Sequence, residues 1–201
     1  MRAVFGLCCV EKGIEKVDRV KTKEFAVFDV ETTGLSPTSG DRIVEIAALK
    51  IRDLKPIARF HSMVDPERPI SFAAFEVNGI SEAMLVGAPK SCDVLPKFLE
   101  FLGNATLIGH NVKFDLNFLY HEMGLAGLKR EEEFEAIDTI RLARRVIPQL
   151  KRYPLWLVAA TLGISENQKH RAMADVDLTF DVFYRLVHLA QERDVLGEFF
   201  S

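Results

Sequence analysis

Two acidic residues at the end of a short apolar run constrain the fold of this chain most strongly. Residues 23–31 contain the run and end in Asp29-Val-Glu31, which Thr-Thr-Gly follows directly. A short apolar run that stops at a turn is typical of a largely buried strand. Since side chains two residues apart on a strand leave the same face, Asp29 and Glu31 are predicted to lie side by side. A solvated strand end with two ordinary acids is the alternative, but the apolar neighbours Phe28 and Val30 favour a cation between the carboxylates.

Hydrophobic patterns along the rest of the chain predict an α/β fold. Further strands are predicted at residues 43–51, 57–64, 105–109 and 134–137. Helices are predicted at residues 71–76, 81–86, 92–102, 112–123, 139–146, 155–162 and 172–191. The first three strands have short connections and should pair as an antiparallel meander. Because strands alternate with helices after the meander, we expect a mixed α/β sheet flanked by helices.

Composition indicates one ordinary globular domain. The chain has 201 residues, 48% of them hydrophobic and 27% charged, and no apolar run is long enough to cross a bilayer. We therefore expect a cytoplasmic protein, with residues 1–23 as an N-terminal extension rather than a signal peptide. The three cysteines, two of them adjacent, form neither a disulfide nor a zinc-binding pattern. The net charge of −3 implies few phosphate contacts if the ligand is a nucleic acid.

Two further stretches carry polar residues of similar chemistry. Asp115 falls in the first turn of a predicted helix, where the helix dipole also gives an acid an ordinary stabilising role. Asp175 has the same position in the last helix, and His170 precedes it in a polar stretch. Taken alone, each residue has a structural explanation. Together with Asp29 and Glu31 they make four carboxylates and one histidine, which is the set that a two-metal phosphodiesterase needs.

The stretches around these five residues resemble the motifs of a known family. Residues 28–35 are similar to its F-D-x-E-T-T-G-L, residues 110–115 to its H-N-x-x-F-D, and residues 170–175 to its H-x-A-x-x-D. In residue types, order and spacing, the chain resembles the DnaQ-like branch of the DEDD exonuclease superfamily over roughly residues 24–190. The resemblance implies a ribonuclease H-like mixed sheet, in which three antiparallel strands are followed by parallel strands.

The resemblance also implies a role for each residue of the set. Asp29, Glu31, Asp115 and Asp175 would bind two divalent ions, Mg²⁺ or Mn²⁺, and Asp115 would do so directly or through water. His170 would be the general base, since an imidazole exchanges protons near neutral pH. In the family, the turn after the first motif meets the terminal nucleotide. The predicted substrate-binding residues are Thr32, Thr33, Gly34, Leu35, His110, Asn111 and Phe114.

Some of these assignments have structural alternatives. His110 is alternatively a polar strand end, Asn111 a helix cap and Phe114 a core residue. Asp138 lies in a segment similar to the family's D-T-x-x-L-A-R. It is expected to cap the next helix or to support residues of the site without contacting substrate. The chain departs from the family pattern at Asn78, where relatives commonly have His before Gly-Ile.

The resemblance predicts removal of nucleoside 5′-monophosphates from single-stranded or frayed 3′ DNA ends. It is strongest to the proofreading exonucleases of bacterial DNA polymerase III, which implies a polymerase catalytic subunit as partner. An exoribonuclease of the RNase T or oligoribonuclease type stays open, as does a non-catalytic docking subunit of a replication complex. Outside the expected domain of residues 24–192, the tail 193–201 carries a partial match to a sliding-clamp-binding peptide, formed by Leu196, Phe199 and Phe200. Packing of these residues on the last helix is the alternative.

Overall fold

The computed structural model of the chain describes residues 23–129, 131–164, 168–195 and 197. The strands are β1 (Glu24–Thr32), β2 (Ile43–Arg52), β3 (Lys55–Met63), β4 (Thr106–Gly109) and β5 (Ala136–Asp138). They form a five-stranded sheet in the order β3-β2-β1-β4-β5. The first three strands pair antiparallel, whereas β4 pairs parallel with both β1 and β5. The predicted mixed sheet is therefore confirmed.

Helices flank this sheet, as the sequence predicts. They are α1 (Phe72–Asn78), α2 (Ser91–Leu102), α3 (Val112–Leu125), α4 (Thr139–Val146), α5 (Leu155–Thr161) and α6 (Ala172–Glu192). The predicted helix at 81–86 is instead a single 3₁₀ turn, Glu82–Leu85, and a second 3₁₀ turn forms at Pro37–Ser39. Within the described ranges, no helix is both long enough and apolar enough to span a membrane. The N-terminal extension up to residue 22 and the candidate clamp-binding residues lie outside the described residues.

The third strand begins two residues earlier than predicted. Asp53 and Leu54 join β2 to β3 and both have left-handed backbones, with φ values of 53° and 57°. Two consecutive residues with positive φ make the turn that matches the twist of a hairpin. Pairing therefore resumes at once, at Lys55, although Pro56 follows it.

Alternation along β1 divides the core into two layers. Phe25 and Val27 pack on one face of the sheet, in a cluster with residues of α4, α5 and α6. Ala26 and Phe28 pack on the other face, in a cluster with residues of α2 and α3. Asp29 continues the first series, because side chains on a strand alternate between faces. The sheet therefore directs Asp29 to the face that α6 covers.

The catalytic candidates share one edge of the sheet. Val27 of β1 pairs with Ile108 of the parallel strand β4, so that Asp29 lies level with His110. The helices α3 and α4 begin directly beyond the carboxyl ends of β4 and β5. Ligands in open α/β sheets characteristically bind outside the carboxyl ends of the parallel strands.

Candidate active site

Three carboxylates meet at the end of β1. Asp29 and Glu31 come from the strand, and Asp175 comes from the first turn of α6. Each offers an oxygen, and the three oxygens lie within 4.8 Å of one another. The structure thus brings the first and third motifs together, although a large part of the sequence separates them.

Burial makes the negative charge of this cluster costly. It raises the pKa of Glu31 to about 8, and the charge of Asp175 adds to the effect. Burial and the nearby charges of Asp115 and Glu31 raise the pKa of Asp29 well above its ordinary value. Burial also raises the pKa of Asp175, against a lowering hydrogen bond from Gln168. A cation between the carboxylates would offset this cost.

The donor set fits a divalent cation. All three groups are carboxylates, and hard cations such as Mg²⁺ and Mn²⁺ prefer oxygen ligands. The Oδ1 atom of Asp175 is buried and has no hydrogen-bond partner in the described part of the chain. A buried carboxylate oxygen without a partner is costly, and a metal ion would satisfy it.

Asp115 lies next to the cluster rather than within it. It is 4% exposed, in the first turn of α3, and its Oδ1 accepts a hydrogen bond of 3.1 Å from the backbone N–H of Val30. Burial raises its pKa to about 8, although that hydrogen bond opposes the change. The three oxygens that meet within 4.8 Å do not include one from Asp115. Its role as a ligand of the second metal ion, directly or through water, thus stays a prediction.

His170 borders the cluster in an unusual backbone conformation. Its Nδ1 lies 3.9 Å from the Oδ2 of Asp175, and 44% of its side chain is exposed. Its φ of 49° is left-handed, which is uncommon for a residue other than glycine. Gln168, which the sequence analysis does not single out, donates a hydrogen bond of 2.7 Å to the same Oδ2 atom. The segment before α6 therefore orients Asp175 as well as presenting the histidine.

A buried network behind the cluster escapes the sequence analysis. Glu45 of β2 pairs across the sheet with Glu31 and is 1% exposed. It accepts two hydrogen bonds from Arg171, at 2.9 and 3.0 Å, and one of 3.1 Å from the backbone N–H of Ala172. The Nε2 of His61 lies 2.7 Å from the Oε1 of Glu45, one of the two oxygens that Arg171 contacts. The signal in the sequence is a lone acid inside the apolar run 43–49.

These contacts keep Glu45 charged. Burial alone would raise the pKa of Glu45, but the hydrogen bonds from Arg171 and His61 outweigh burial and lower it. The positive charge of Arg171 also lowers the pKa of Glu31, against the effect of burial. Glu45 is therefore an ionised anchor for α6, in contrast to the acids of the cluster.

A cavity of about 550 Å³ opens beside the carboxylates. Glu31 belongs both to the metal-binding cluster and to the wall of this cavity. The remaining wall is largely apolar and consists of Val30, Thr32, Gly34, Leu35, Ser71, Ala73, Ala74, Val77, Asn78 and Phe114. Leu35 is 85% exposed at its rim. Four predicted substrate-binding residues, Thr32, Gly34, Leu35 and Phe114, therefore line one cavity.

Asn78 helps to shape that cavity. The side chain is buried, and its Nδ2 donates a hydrogen bond of 3.3 Å to the carbonyl of Thr32. Its Oδ1 accepts one of 3.0 Å from the N–H of Ile80. The family pattern commonly has His at this position. In this chain, the amide of Asn78 joins the end of α1 to the end of β1.

Asp41 fixes the turn that follows β1. Its Oδ1 lies 3.3 Å from the Oγ1 of Thr33, and its Oδ2 accepts a hydrogen bond of 3.0 Å from the N–H of Ser36. A Cβ atom on Gly34 would clash with this carboxylate, so a larger residue there would displace Asp41 from these contacts. The Thr33 side chain is fully buried and accepts a hydrogen bond from the N–H of Arg42. The Thr33 side chain is therefore used inside the turn, and its contact with substrate stays a prediction.

His110 and Asn111 do not contact the cavity. The Nε2 of His110 lies 2.7 Å from the carbonyl of Tyr153, and its Nδ1 lies 2.8 Å from the Oγ1 of Thr139. Burial lowers the pKa of His110, and Nε2 donates to the carbonyl of Tyr153, because a carbonyl oxygen can only accept. Both nitrogens have partners within the protein, and the contact of His110 with substrate stays a prediction. His110 instead joins the end of β4 to α4 and to the segment before α5.

The side chain of Asn111 does not cap α3, which is the alternative role expected for it. Asn111 lies at the start of α3 with a left-handed φ of 67°, and its side chain makes no capping hydrogen bond. Its backbone N–H donates to the Oδ1 of Asp138, at 3.2 Å. The same oxygen accepts a bond of 2.8 Å from the N–H of Ile140, so Asp138 caps α4 as one of its two expected roles.

The fold and this carboxylate cluster are those of a nuclease, and comparisons with known proteins give the family. Residues 26–183 match the RNase T exonuclease family. Over 173 residues, 86% of this chain, the sequence is 38% identical to the PolC-type DNA polymerase III of Clostridium perfringens, and over 169 residues, 84% of this chain, it is 37% identical to that of Thermotoga petrophila. The chain spans only 12% of either relative's length. The chain belongs to the RNase T exonuclease family, which confirms the resemblance.

Solved structures agree with this assignment. Exonuclease X in complex with 5′ overhanging duplex DNA superposes with a TM-score of 0.65 at 28% identity, over 86% of this chain and 99% of that protein. Zinc-bound Exonuclease I of E. coli in complex with single-stranded DNA superposes with a TM-score of 0.75 at 19% identity, over 88% of this chain and 42% of that protein. The second likeness supports the fold alone.

Proposed function

We propose that the chain is a divalent-metal-dependent exonuclease that removes nucleoside 5′-monophosphates from 3′ ends of DNA. The observation that carries this proposal is the double position of Glu31, in the carboxylate cluster and in the wall of the cavity. A cavity of about 550 Å³ is within the usual range for small-ligand sites. A terminal nucleotide held there would present its phosphodiester bond to the carboxylates.

The proposed metal ligands follow from the geometry of the cluster. Asp29, Glu31 and Asp175, whose oxygens meet, would hold one Mg²⁺ or Mn²⁺ ion. The family resemblance adds a second ion, which Asp29 would hold with Asp115, directly or through water. When bound, such ions activate a water and offset the charge that develops on the reacting phosphate. The protein's own contribution is to hold these side chains ready in a buried place where unpaired charge is costly.

His170 is the proposed acceptor of the proton from the attacking water. Its ring borders Asp175 and is 44% exposed, so that it has access both to the site and to solvent. An imidazole exchanges protons near neutral pH, as a general base requires. Gln168 donates a hydrogen bond to Asp175 and so holds the carboxylate next to His170 in place.

The cavity supports a preference for ends that are not paired. Leu35 at its rim and Phe114 in its wall are apolar, and a base can contact them only after it has left its partner. Unpairing and unstacking cost a few kcal/mol, and least for a mismatched base. Single-stranded and mispaired ends are therefore the proposed substrates.

A link to a DNA polymerase is proposed from the relatives. The proteins of Clostridium perfringens and Thermotoga petrophila are PolC-type DNA polymerases III, and this chain matches one segment of each. Proofreading for a polymerase catalytic subunit is therefore the proposed cellular role. A non-catalytic docking subunit is disfavoured, because such a protein has no need for several buried acids whose ionisation is costly.

The test is cleavage of 5′-labelled single-stranded DNA, matched RNA, and paired or mispaired primer ends, with Mg²⁺ or Mn²⁺ and with EDTA. We expect stepwise shortening from the 3′ end, release of nucleoside 5′-monophosphates, and faster cutting of unpaired DNA ends. Asp29→Asn should abolish cutting, whereas Asp53→Asn, an exposed hairpin residue, should not. Preference for RNA would favour the exoribonuclease, and metal binding without any cleavage would favour the docking subunit.

A further inference from the structure

A group of exposed cations lies outside the catalytic cavity. Residues 139–164 contain five Lys or Arg residues and no Asp or Glu, in a chain with 26 basic and 29 acidic residues. Four of the five form what we call the basic surface: Arg141, Arg144, Lys151 and Arg152, all of them exposed. None of these four forms an ion pair with another described residue. Within the described part of the chain, no carboxylate neutralises the charge of these four cations.

The basic surface is continuous across α4 and the segment before α5. Arg141 and Arg144 are three residues apart on α4, and such residues lie on one face of a helix. The guanidinium of Arg144 lies 5.7 Å from the ring centre of Tyr153, which joins the helix to the segment that carries Lys151 and Arg152. The two pairs of exposed charges therefore lie on either side of one tertiary contact, that of Arg144 with Tyr153.

His110 connects this surface to the catalytic edge of the sheet. One ring nitrogen contacts the first residue of α4, Thr139, and the other contacts the carbonyl of Tyr153. His110 directly follows β4, at the level of Asp29 on the neighbouring strand. The basic surface thus begins where the metal-binding edge of the sheet ends.

An aromatic ring adds a second type of contact. Trp156 is 38% exposed, and the guanidinium of Arg152 lies 5.7 Å from the centre of its ring. Exposed aromatic rings next to cations are a recurring way to bind single-stranded nucleic acids, since bases stack on the rings and phosphates pair with the charges. An ordinary solvated surface would need neither a stretch with basic and no acidic residues nor an exposed aromatic ring.

We propose that the basic surface binds the phosphodiester backbone of the strand whose 3′ end lies in the catalytic cavity. This inference rests on the proposed exonuclease function and adds a binding site upstream of the scissile bond. The phosphates of the strand are repelled by the acidic cluster, and the overall charge of the chain, −3, does not attract them. The cations of the basic surface supply this attraction. The surface holds the strand, and the cavity selects its end.

The test compares two triple variants with the same change in charge. Arg141→Gln, Lys151→Gln and Arg152→Gln together remove charge from the basic surface. Lys55→Gln, Lys97→Gln and Lys129→Gln form the control, since all three residues are exposed and lie on other elements. Both variants are measured by fluorescence anisotropy with single-stranded DNA of about 20 nucleotides, long enough to exceed the usual site size of a single-strand-binding domain. EDTA prevents cleavage during this measurement.

We expect the basic-surface variant to bind about ten-fold more weakly at low salt, and the slope of log Kd against log salt to fall by about 2, as for three lost phosphate contacts. In steady-state assays, KM for the long strand should rise by a similar factor. Cleavage of a dinucleotide should change by less than about two-fold, because it offers almost no upstream backbone. The control variant should match the unmodified chain in every assay.

Equal Kd values and salt slopes for the two variants would overturn the proposal. An equal loss on the dinucleotide and on the long strand would also overturn it, because the residues would then act at the catalytic site. The binding assay does not depend on cleavage. An unmodified chain that binds through the basic surface but cuts nothing would therefore refute the proposed function and leave this inference standing.

Discussion

Glu45 of β2 accepts two hydrogen bonds from the guanidinium of Arg171, at 2.9 and 3.0 Å, and so ties the start of α6 to the strand next to β1. His170 directly precedes this arginine, and its left-handed φ of 49° is a conformation that surrounding contacts must hold. Asp175 follows one turn later in α6. The Glu45–Arg171 pair therefore positions both His170, the proposed base, and Asp175, a proposed metal ligand.

Loss of this anchor should reduce catalysis more than stability. Glu45→Gln removes the charge that Arg171 pairs with, and partners behind a metal site typically contribute 10- to 100-fold to metal affinity or activity, so we expect a loss of about that size in kcat. The measurement is kcat and KM as a function of Mn²⁺ concentration. Arg59→Gln is the matched control, because its exposed ion pair with Asp177 also joins the sheet to α6. An equal effect of both substitutions would show that Glu45 has only a structural role.

His170→Ala should lower the rate and leave substrate binding nearly unchanged. General bases typically contribute 10²–10⁴-fold, so kcat should fall by about that factor while KM stays within about two-fold. Single-turnover kinetics on single-stranded DNA separate the two effects. His121→Ala, on α3, serves as the control substitution. A loss confined to KM would identify His170 as a substrate contact.

The acidic cluster should make the metal-free protein less stable as pH rises. Burial raises the pKa of Glu31 from its ordinary value of 4.5 to about 8, so between these values the folded state binds more protons than the unfolded state. Stability from this group is therefore highest below pH 4.5 and is lost as pH rises to about 8. Asp115, also raised to about 8, acts in the same direction.

Thermal unfolding with EDTA and with Mn²⁺ at several pH values checks this expectation. The increase in Tm caused by Mn²⁺ should be larger at pH 8 than at pH 6, because fewer protons then compete for the carboxylates. In Glu31→Gln the pH dependence of the metal-free Tm should weaken. An increase in Tm that is independent of pH would argue against metal binding by these groups.

Gly34→Ala should disrupt the turn that borders the cavity. The added Cβ atom would clash with the carboxylate of Asp41, which holds the turn through Thr33 and Ser36. Misplacement of a binding residue by about 1 Å can cost 10²-fold, so we expect kcat/KM to fall at least ten-fold. The control is Gly124→Ala within α3, where no atom lies within 4 Å of an added Cβ atom. That substitution should retain activity and slightly raise Tm.

The sequence predicts the cluster better than its surroundings. The adjacency of Asp29 and Glu31 follows from the alternation of side chains on a strand, and the structure shows it. The approach of Asp175 follows from the family resemblance alone, because spacing along the chain carries no information on how α6 packs on the sheet. Within the sheet, the lone Glu45 in an apolar run signals a buried polar contact, but nothing in the sequence identifies Arg171 as its partner.

Two predicted substrate-binding residues have contacts that the sequence did not indicate, and the physical reason is the same for both. His110 and Thr33 both lie in motifs that border the site, and their residue types suit substrate binding. Their side chains are instead used by tertiary neighbours: the carbonyl of Tyr153, 43 residues away, and the backbone of Arg42, 9 residues away. A motif gives the position of a residue along a strand or turn, whereas its hydrogen-bond partners depend on the packing of distant elements.

Direct measurement of Mn²⁺ binding tests the central claim, that Asp29, Glu31 and Asp175 form a metal site. Isothermal titration calorimetry with the unmodified chain should show Mn²⁺ binding that Asp29→Asn abolishes or weakens by at least about ten-fold, since each ligand of a hard cation is a large part of its coordination. Asp53→Asn, which changes an exposed acid in the hairpin between β2 and β3, should bind Mn²⁺ as the unmodified chain does. Unchanged affinity in Asp29→Asn would contradict the account.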